Sequence, residues 1–216
     1  QIVLNYALEE KYADNSLQMA ESTDVSPSSG KEFFQKCIVA AVFAAIVLIL
    51  YIAIRFKNIG GWLAGICAVI ALFHDIIVVY GTFVIFGMEI DANFMAVILT
   101  ILGYSINDTI VIYDRIRENK TLYKDKLSLA ELTNLSTNQS LTRSINTSVT
   151  TIATMLVVTI VAMVYGVNSI ISFSFPMMIG LISGTYSTIC IAGPLWVWLE
   201  EKKNGGNSPK AEAAAE

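Results

Sequence analysis

The sequence is poor in charged residues. Asp, Glu, Lys and Arg make up only 15% of the 216 residues, whereas 55% are hydrophobic. Soluble domains carry about 25% charged residues, so this chain lacks the polar side chains that a water-facing surface needs. The composition therefore excludes a water-soluble globule and indicates a membrane protein.

Two further shortages exclude other classes of protein. The formal net charge is −4, so there is no basic surplus to neutralise phosphates, and nucleic acid is not an expected partner. The only three cysteines, Cys37, Cys67 and Cys190, lie inside apolar runs without the spacing of metal ligands. We therefore expect neither a disulfide framework nor a metal site.

Long apolar runs, by contrast, are abundant. A helix needs roughly 20 predominantly apolar residues to cross the hydrocarbon core of a bilayer. Five stretches meet this requirement, at about 34–56, 62–86, 92–113, 144–165 and 170–199. The sequence thus predicts an all-α fold, a polytopic bundle of five transmembrane helices. Pro176 and Pro194 predict kinks in the last of them.

The positions of the basic residues predict the orientation of the bundle, because Lys and Arg near span ends stay on the cytoplasmic side. Arg55 and Lys57 flank the first short loop, six basic residues lie in segment 114–143, and Lys202 and Lys203 follow the last span. We therefore expect the N-terminus outside, the C-terminus inside and a cytoplasmic loop over 114–143. The small, polar residues that end the segment 200–216 predict a disordered tail.

The loop 114–143 carries a helix-start signal. Ser128-Leu-Ala-Glu131 has the form of a capping box, and apolar residues follow it at helical spacing. This pattern predicts a short amphipathic helix along the inner membrane surface.

Asp108 lies in the third predicted span and shares its helix with Thr100, Tyr104, Ser105 and Asn107. An ionisable side chain within a span costs about 2.5–3.5 kcal/mol on insertion scales and marks a functional site. Because such a polar stripe cannot face lipid, it faces protein or water. We interpret Asp108 as a carboxyl that binds and releases a proton during transport. The alternative is a carboxylate in a static hydrogen bond between helices.

Three more ionisable groups accompany Asp108. Arg143 opens the fourth predicted span at a similar depth, so the two groups can pair if their helices are neighbours; the alternative is a snorkelling arginine that only sets topology. For Asp75, in the second span, we favour a role inside the bundle, and for the adjacent His74 we favour a satisfied packing histidine.

Hydroxyl groups and small residues form further patterns at three-to-four spacing. In the fourth span the stripe consists of Thr147, Ser148 and Thr151, which can host water or simply join helices. The small-residue pairs are Gly61 with Gly65 and Gly180 with Gly184. For these glycines we favour close helix packing over a sliding interface.

At this point the residues resemble a known family. The run Gly103-Tyr-Ser-Ile-Asn-Asp-Thr-Ile-Val-Ile-Tyr-Asp-Arg-Ile-Arg-Glu-Asn119 is similar to the fourth-helix signature of SecF, bacterial protein-export membrane proteins of the RND superfamily. Segments 72–76, 141–151 and 180–187 resemble the third, fifth and sixth helices of that family, in order. The resemblance covers about residues 20–200. It implies that 1–33 ends an extracytoplasmic domain, as if upstream sequence were missing, and that the chain is part of SecF or of a SecD-SecF fusion.

The resemblance also implies a function. Proteins of this family are accessory subunits of the Sec translocase that use the proton-motive force to assist polypeptide export across the bacterial cytoplasmic (inner) membrane. Implied partners are SecD or a fused SecD half, the SecYEG translocon, YajC, the exported polypeptide and membrane lipid. The proton is the coupling ion, and no cofactor is expected. The roles in proton flow fall on Asp108 and Arg143, with a less settled one on Asp75.

Two alternatives come from other classes. Another RND-type exporter of small apolar molecules shares the acidic helix but needs large binding domains. An intramembrane aspartyl protease also uses two carboxyls within spans. Its Gly-x-Gly-Asp context is lacking, because Ser105-Ile-Asn107 precedes Asp108. We therefore expect no catalytic residues and no enzyme.

Overall fold

The computed structural model describes residues 27–123 and 126–203, except for the side chains of 27–34 and 37. The chain divides into two units, Gln1–Lys36 and Cys37–Glu216, and the contacts below belong to the second. Most of two predicted regions, the end of an extracytoplasmic domain over 1–33 and the disordered tail over 200–216, lies outside the described residues.

Helices account for nearly all of the described chain. They are α1 (Pro27–Arg55), a 3₁₀ turn (Lys57–Ile59), α2 (Gly61–Ile85), α3 (Ala92–Tyr123), α4 (Leu129–Tyr165), α5 (Asn168–Ser187), a π-helical segment (Thr188–Ala192) and α6 (Gly193–Lys203). No strand occurs in this part of the chain. Counting Asn168–Lys203 as one continuous helix, five helices are long and apolar enough to cross a membrane. The predicted all-α, five-span architecture is confirmed.

The loop predicted over 114–143 is wrong in extent. α3 continues to Tyr123 and α4 begins at Leu129. At 1.5 Å per residue, 32 and 37 residues give about 48 and 56 Å, well beyond a hydrocarbon core of about 30 Å. The search for apolar runs did not detect these extensions, because the part of a helix that lies outside the bilayer is polar.

The extensions of α3 and α4 are held together by polar contacts. Asn119 Nδ2 donates to Ser136 Oγ and Gln139 Oε1, both at 2.8 Å, and Arg115 Nε donates to the same Gln139 oxygen at 2.7 Å. The predicted capping box is confirmed: Glu131 N donates to Ser128 Oγ at 3.2 Å, and Ser128 N to Glu131 Oε2 at 3.0 Å. It starts α4 itself, however, so the separate short helix was wrong.

Helices α2, α3 and α5 with α6 form the centre of the bundle. Between 44% and 50% of the spanning residues of these helices are buried, against 11% in α1 and 17% in α4. The core between them holds large side chains with no exposure, including Phe83, Tyr113 and Trp196. α1 and α4 therefore present most of their surface to whatever surrounds this chain.

The four predicted packing glycines lie at close helix contacts. A Cβ on Gly61 would lie 2.6 Å from Ala53 O of α1, and one on Gly65 would lie 3.1 Å from Ile49 O. On α5, a Cβ on Gly180 would collide with Ile101, and one on Gly184 would lie 3.3 Å from Ser105 Cβ. The absence of side chains at Gly180 and Gly184 brings α5 against α3, at the level of the polar residues described next.

The two prolines of the last span behave differently. Pro176 lies inside α5, which continues through it. Pro194 follows the π-helical segment Thr188–Ala192. A proline lacks the N–H that would bond to the carbonyl four residues earlier, and its ring crowds that carbonyl. Here that carbonyl belongs to Cys190, so the proline accounts for the local widening of the helix.

Candidate functional site

Asp75 on α2 lies at the centre of a buried hydroxyl cluster. Its side chain has no exposure. Three serine hydroxyls donate to it: Ser183 to Oδ1 at 2.7 Å, and Ser105 and Ser187 to Oδ2, each at 2.8 Å. Because a carboxylate is an acceptor-only group, three donors satisfy it well. The cluster ties together α2, α3 and α5.

The sequence places these donors by helical spacing. Ser183 and Ser187 are four residues apart and therefore lie on one face of α5, one turn above the other. Gly184 lies between them, and a Cβ there would come within 3.7 Å of Asp75 Oδ2. The tighter contact would be with Ser105 Cβ at 3.3 Å, so the glycine allows α5 to approach α3 closely beside the carboxylate.

His74 lies at the edge of this cluster. Its Nδ1 is 3.3 Å from Asp75 Oδ1, and its side chain is 36% exposed. The ring packs at a tilt against Tyr186 of α5, with 6.0 Å between ring centroids. His74 therefore combines a packing contact with a contact to the buried carboxyl.

Asp108 on α3 forms a second, less saturated site. Ser144 Oγ on α4 donates to Asp108 Oδ1 at 2.5 Å. The other carboxyl oxygen, Oδ2, is buried and has no hydrogen-bond partner. One oxygen of Asp108 is thus held by a neighbouring helix, while the other has no hydrogen-bond donor among the described residues.

Arg143 does not pair with Asp108 in this structure. Although α3 and α4 are neighbours and the depth agrees, no ion pair joins the two described side chains. Arg143 is exposed, and the next residue, Ser144, takes the place at Asp108. Successive residues on a helix point about 100° apart, and here Ser144 rather than Arg143 is directed at the carboxyl.

A chain of hydroxyls joins the helices near these carboxyls. Tyr104 Oη donates to Ser148 Oγ at 3.4 Å, and Ser148 Oγ lies 2.6 Å from Thr185 Oγ1. Thr109 Oγ1 lies 3.0 Å from Thr188 Oγ1, at the start of the π-helical segment. These bonds extend the polar interior of the bundle from α3 to both α4 and α5.

The other predicted stripe residues face outward or bond within their own helix. Thr100 and Asn107 on α3 and Thr147 on α4 are exposed, and Thr151 is half-buried. Thr100 Oγ1 donates to Ala96 O at 2.7 Å, and Thr151 Oγ1 to Thr147 O at 2.8 Å. On α4, Thr147 shares one helix face with the exposed residues Arg143, Thr150 and Thr154, and these four residues form an uncovered polar strip on this chain.

Several site residues were not identified from the sequence. The donors Ser183 and Ser187 were visible only as small residues beside a glycine pair, and Thr185 and Thr188 carried no signal. The buried serines of α4 recur every four residues, at Ser136, Ser140, Ser144 and Ser148. That four-residue repeat was the available signal for the inward face of α4.

No hydrogen bond joins the carboxyls of Asp75 and Asp108 in the described part of the chain. Asp75 is bonded to serines of α3 and α5, whereas Asp108 is bonded to a serine of α4. A protease of the aspartyl type needs two carboxyls that share a proton. The described residues contain no such arrangement.

The fold and these carboxyl sites define a class of protein: a polytopic helical membrane protein with ionisable groups inside the bundle, where such groups mark ion or substrate pathways. A family model described as protein export membrane protein SecD/SecF, C-terminal, matches residues 6–202. The chain belongs to this SecD/SecF family.

Individual relatives agree with the family. The chain is 38% identical to the protein translocase subunit SecF of Petrotoga mobilis over 197 residues, which are 91% of this chain and 62% of the relative. It is 39% identical to SecDF of Bacillus subtilis over 175 residues, which are 80% of this chain and 23% of that protein. The chain thus spans about three-fifths of a SecF subunit. These relatives are named as translocase subunits, not as enzymes.

The solved structures show the same fold. The crystal structure of SecDF from Thermus thermophilus, described as a translocon-associated membrane protein, is 34% identical to the chain, with a TM-score of 0.78. It covers 91% of this chain, which in turn covers 26% of the SecDF chain. SecDF in its super-membrane-facing form gives a TM-score of 0.72 at 30% identity, covering 100% of this chain and 27% of that one.

Proposed function

We propose that the full-length protein is an accessory subunit of the Sec translocase and that it couples proton movement through Asp108 to polypeptide export. Membership of the SecD/SecF family supports the translocase role. The names of the relatives, SecF and SecDF translocase subunits, support it further. The proton is the coupling ion, and no cofactor takes part.

The unpaired oxygen of Asp108 carries the proposal. Asp108 Oδ2 is buried without a partner, whereas both oxygens of Asp75 are occupied by serine hydroxyls. A proton can therefore bind Asp108 without displacing a hydrogen bond from this chain. The three serines instead hold the Asp75 carboxyl between α2, α3 and α5. Asp108 is thus the group that titrates during transport, and Asp75 is the anchor that holds α2, α3 and α5.

The uncovered polar strip supports a SecD-like partner. On α4 the exposed polar residues Arg143, Thr147, Thr150 and Thr154 fall on one face, and on α3 Asn107 is exposed beside Asp108. Polar groups at this depth must contact protein or water. We place the SecD half against this strip, with Arg143 facing its helices. SecYEG, YajC and the exported polypeptide complete the proposed assembly.

The proposed location is the bacterial inner membrane, with the N-terminus outside and the C-terminus in the cytoplasm. The basic residues support this orientation. Several basic residues lie at or beyond the ends of the spans, and these ends are on the same side of the bundle. They are Arg55, Lys57, Arg117, Lys120 and Lys202. Basic residues beside span ends remain on the cytoplasmic side.

Export by membrane vesicles tests the function. Vesicles that contain the full-length protein should export a precursor protein faster than vesicles depleted of it, and only while a proton gradient is present. A proton ionophore should remove the difference between the two preparations. A difference of equal size after the gradient has collapsed would contradict proton coupling, because it would show that the protein assists export by another route.

Site-directed cross-linking tests the partner surface. The experiment uses full-length protein from which the native cysteines have been removed. Thr150→Cys places a benzophenone maleimide label on the polar strip, and Val149→Cys places the same label on the apolar face of α4. Both positions are exposed on this chain. We expect illumination to link position 150 to the SecD half and position 149 to lipid, as read by mass spectrometry. If only position 149 became linked to SecD, the partner would lie against the apolar face of α4, which would contradict the proposed surface.

A further inference from the structure

A cavity lies at the basic end of the bundle, away from both aspartates. Its volume is about 160 Å³, far more than the roughly 10–15 Å³ that one water molecule requires. Its walls come from the 3₁₀ turn, the ends of α3 and α4, and α6. The lining residues are Ile59, Lys120, Tyr123, Leu127, Leu129, Leu132, Trp196 and Glu200.

Two lining residues carry buried polar atoms without a partner. Trp196 has no exposure, and its indole Nε1 makes no hydrogen bond; the carboxyl oxygen Oε2 of Glu200 is also buried and unpaired. The two residues are four apart on α6 and therefore project on the same side. Unsatisfied buried donors and acceptors are rare, and each requires an explanation. Here a bound molecule can supply both an acceptor for Trp196 and a donor for Glu200.

Lys120 adds a positive charge to the same cavity. Its Nζ donates to Asn58 O at 3.0 Å, and an ammonium group has three protons, so two remain for a ligand. Lys120 and Glu200 do not form an ion pair with each other. The cavity thus offers a separate cationic and anionic contact, with apolar walls between them.

The position of Glu200 is set by a glycine. Gly60 has a φ of 80°, in the left-handed region, and a Cβ there would lie 2.6 Å from Glu200 Oε2. Gly60 also precedes the first residue of α2, and the positive end of a helix dipole favours a nearby carboxylate. Glu200 is therefore held in place beside the start of α2, at the cavity.

These contacts together select the ligand. A purely anionic molecule leaves Glu200 without a donor, and a quaternary ammonium has no N–H to give it. A primary ammonium joined to a phosphate satisfies Glu200 on one side and Lys120 and Trp196 on the other. Lipid headgroups of this chemistry lie at the membrane surface, the level of the basic end of the bundle. We propose that the cavity binds the phosphoethanolamine headgroup of phosphatidylethanolamine.

Native mass spectrometry of the full-length protein tests the proposal. The purified protein is mixed with phosphatidylethanolamine, phosphatidylcholine or phosphatidylglycerol with identical acyl chains, and retained lipid is counted. We expect preferential retention of phosphatidylethanolamine. Glu200→Gln and Trp196→Phe should each weaken its binding roughly tenfold, the expected loss for one strong hydrogen bond. Free phosphoethanolamine should compete poorly, because it lacks the acyl chains.

Neighbouring residues provide matched controls. Glu201→Gln and Trp198→Phe change the same residue types on α6 outside the cavity lining and should leave lipid binding unchanged. Glu200→Gln removes a charge without changing size, so a folded variant, judged by size-exclusion chromatography, is expected. Equal retention of the three lipids, or equal effects of Glu200→Gln and Glu201→Gln, would overturn the proposal. If free phosphoethanolamine bound as tightly as the lipid, the ligand of the cavity would be the free compound and not a lipid headgroup.

Discussion

Asp108→Asn in the full-length protein should abolish the gradient-dependent part of polypeptide export while leaving the amount of folded protein unchanged. Asparagine cannot bind and release a proton, so the proposed coupling step is lost. Its carbonyl oxygen can still accept the bond from Ser144, which lies 2.5 Å from Asp108 Oδ1. Its amide nitrogen takes the place of Oδ2, an atom without a partner. The change in stability should therefore stay within about 1 kcal/mol.

The control for this experiment lies on the same helix. Asp114 is 48% exposed and pairs with Arg55 at 3.3 Å and Arg117 at 2.6 Å. Exposed ion pairs contribute about 0–1 kcal/mol, so Asp114→Asn should cost little stability. Export by both variants is measured in vesicles with and without an ionophore. Normal gradient-dependent export by Asp108→Asn, or an equal loss in Asp114→Asn, would remove Asp108 from the mechanism.

The second large effect concerns stability. Asp75→Asn should lower the free energy of unfolding by about 2–4 kcal/mol, because hydrogen bonds to a charged group are worth about 1.5–3 kcal/mol each. Asp75 accepts hydroxyls at both oxygens, Ser183 at Oδ1 and two others at Oδ2. An amide nitrogen cannot accept, so at least one serine loses its partner. The measurement is unfolding of the purified protein in mixed micelles with increasing SDS.

Serine variants separate the cluster from general effects on α5. Ser183→Ala removes one donor to Asp75 and should destabilise by about 1.5–3 kcal/mol. Ser169→Ala, an exposed position at the start of the same helix, should have almost no effect. If Asp75→Asn unfolds at the same SDS concentration as the wild-type protein, the three serine bonds do not hold the bundle together.

The membrane architecture could be predicted from the sequence because hydropathy is a local property. Five apolar runs correspond to five long helices, and the capping box at Ser128 identified a helix start. Hydropathy gave the wrong prediction over 114–143, where it indicated a loop although polar residues continue both helices. Their continuation depends on contacts between two helices, such as those of Asn119 with Ser136, which hydropathy does not contain.

The site was predictable only in part. Asp75 and Asp108 could be identified because a charged residue within an apolar run is recognisable from the sequence alone. Their partners were not, since Ser183 and Ser187 lie 108 and 112 residues from Asp75. The possible pairing of Arg143 with Asp108 stays a prediction: in this structure Ser144, the next residue on α4, bonds to the carboxyl, because spacing along the chain does not specify which side of a helix faces its neighbour.

The sequence by itself determined that the described part of this chain contains five helices long and apolar enough to cross a membrane, with two carboxyls inside them, because both facts follow from the local balance of apolar and charged residues. Only the tertiary structure decided that Asp75 is saturated by three serines while Asp108 keeps one oxygen unpaired. That difference arises from how α2 to α5 pack, and glycines at the helix contacts permit this packing.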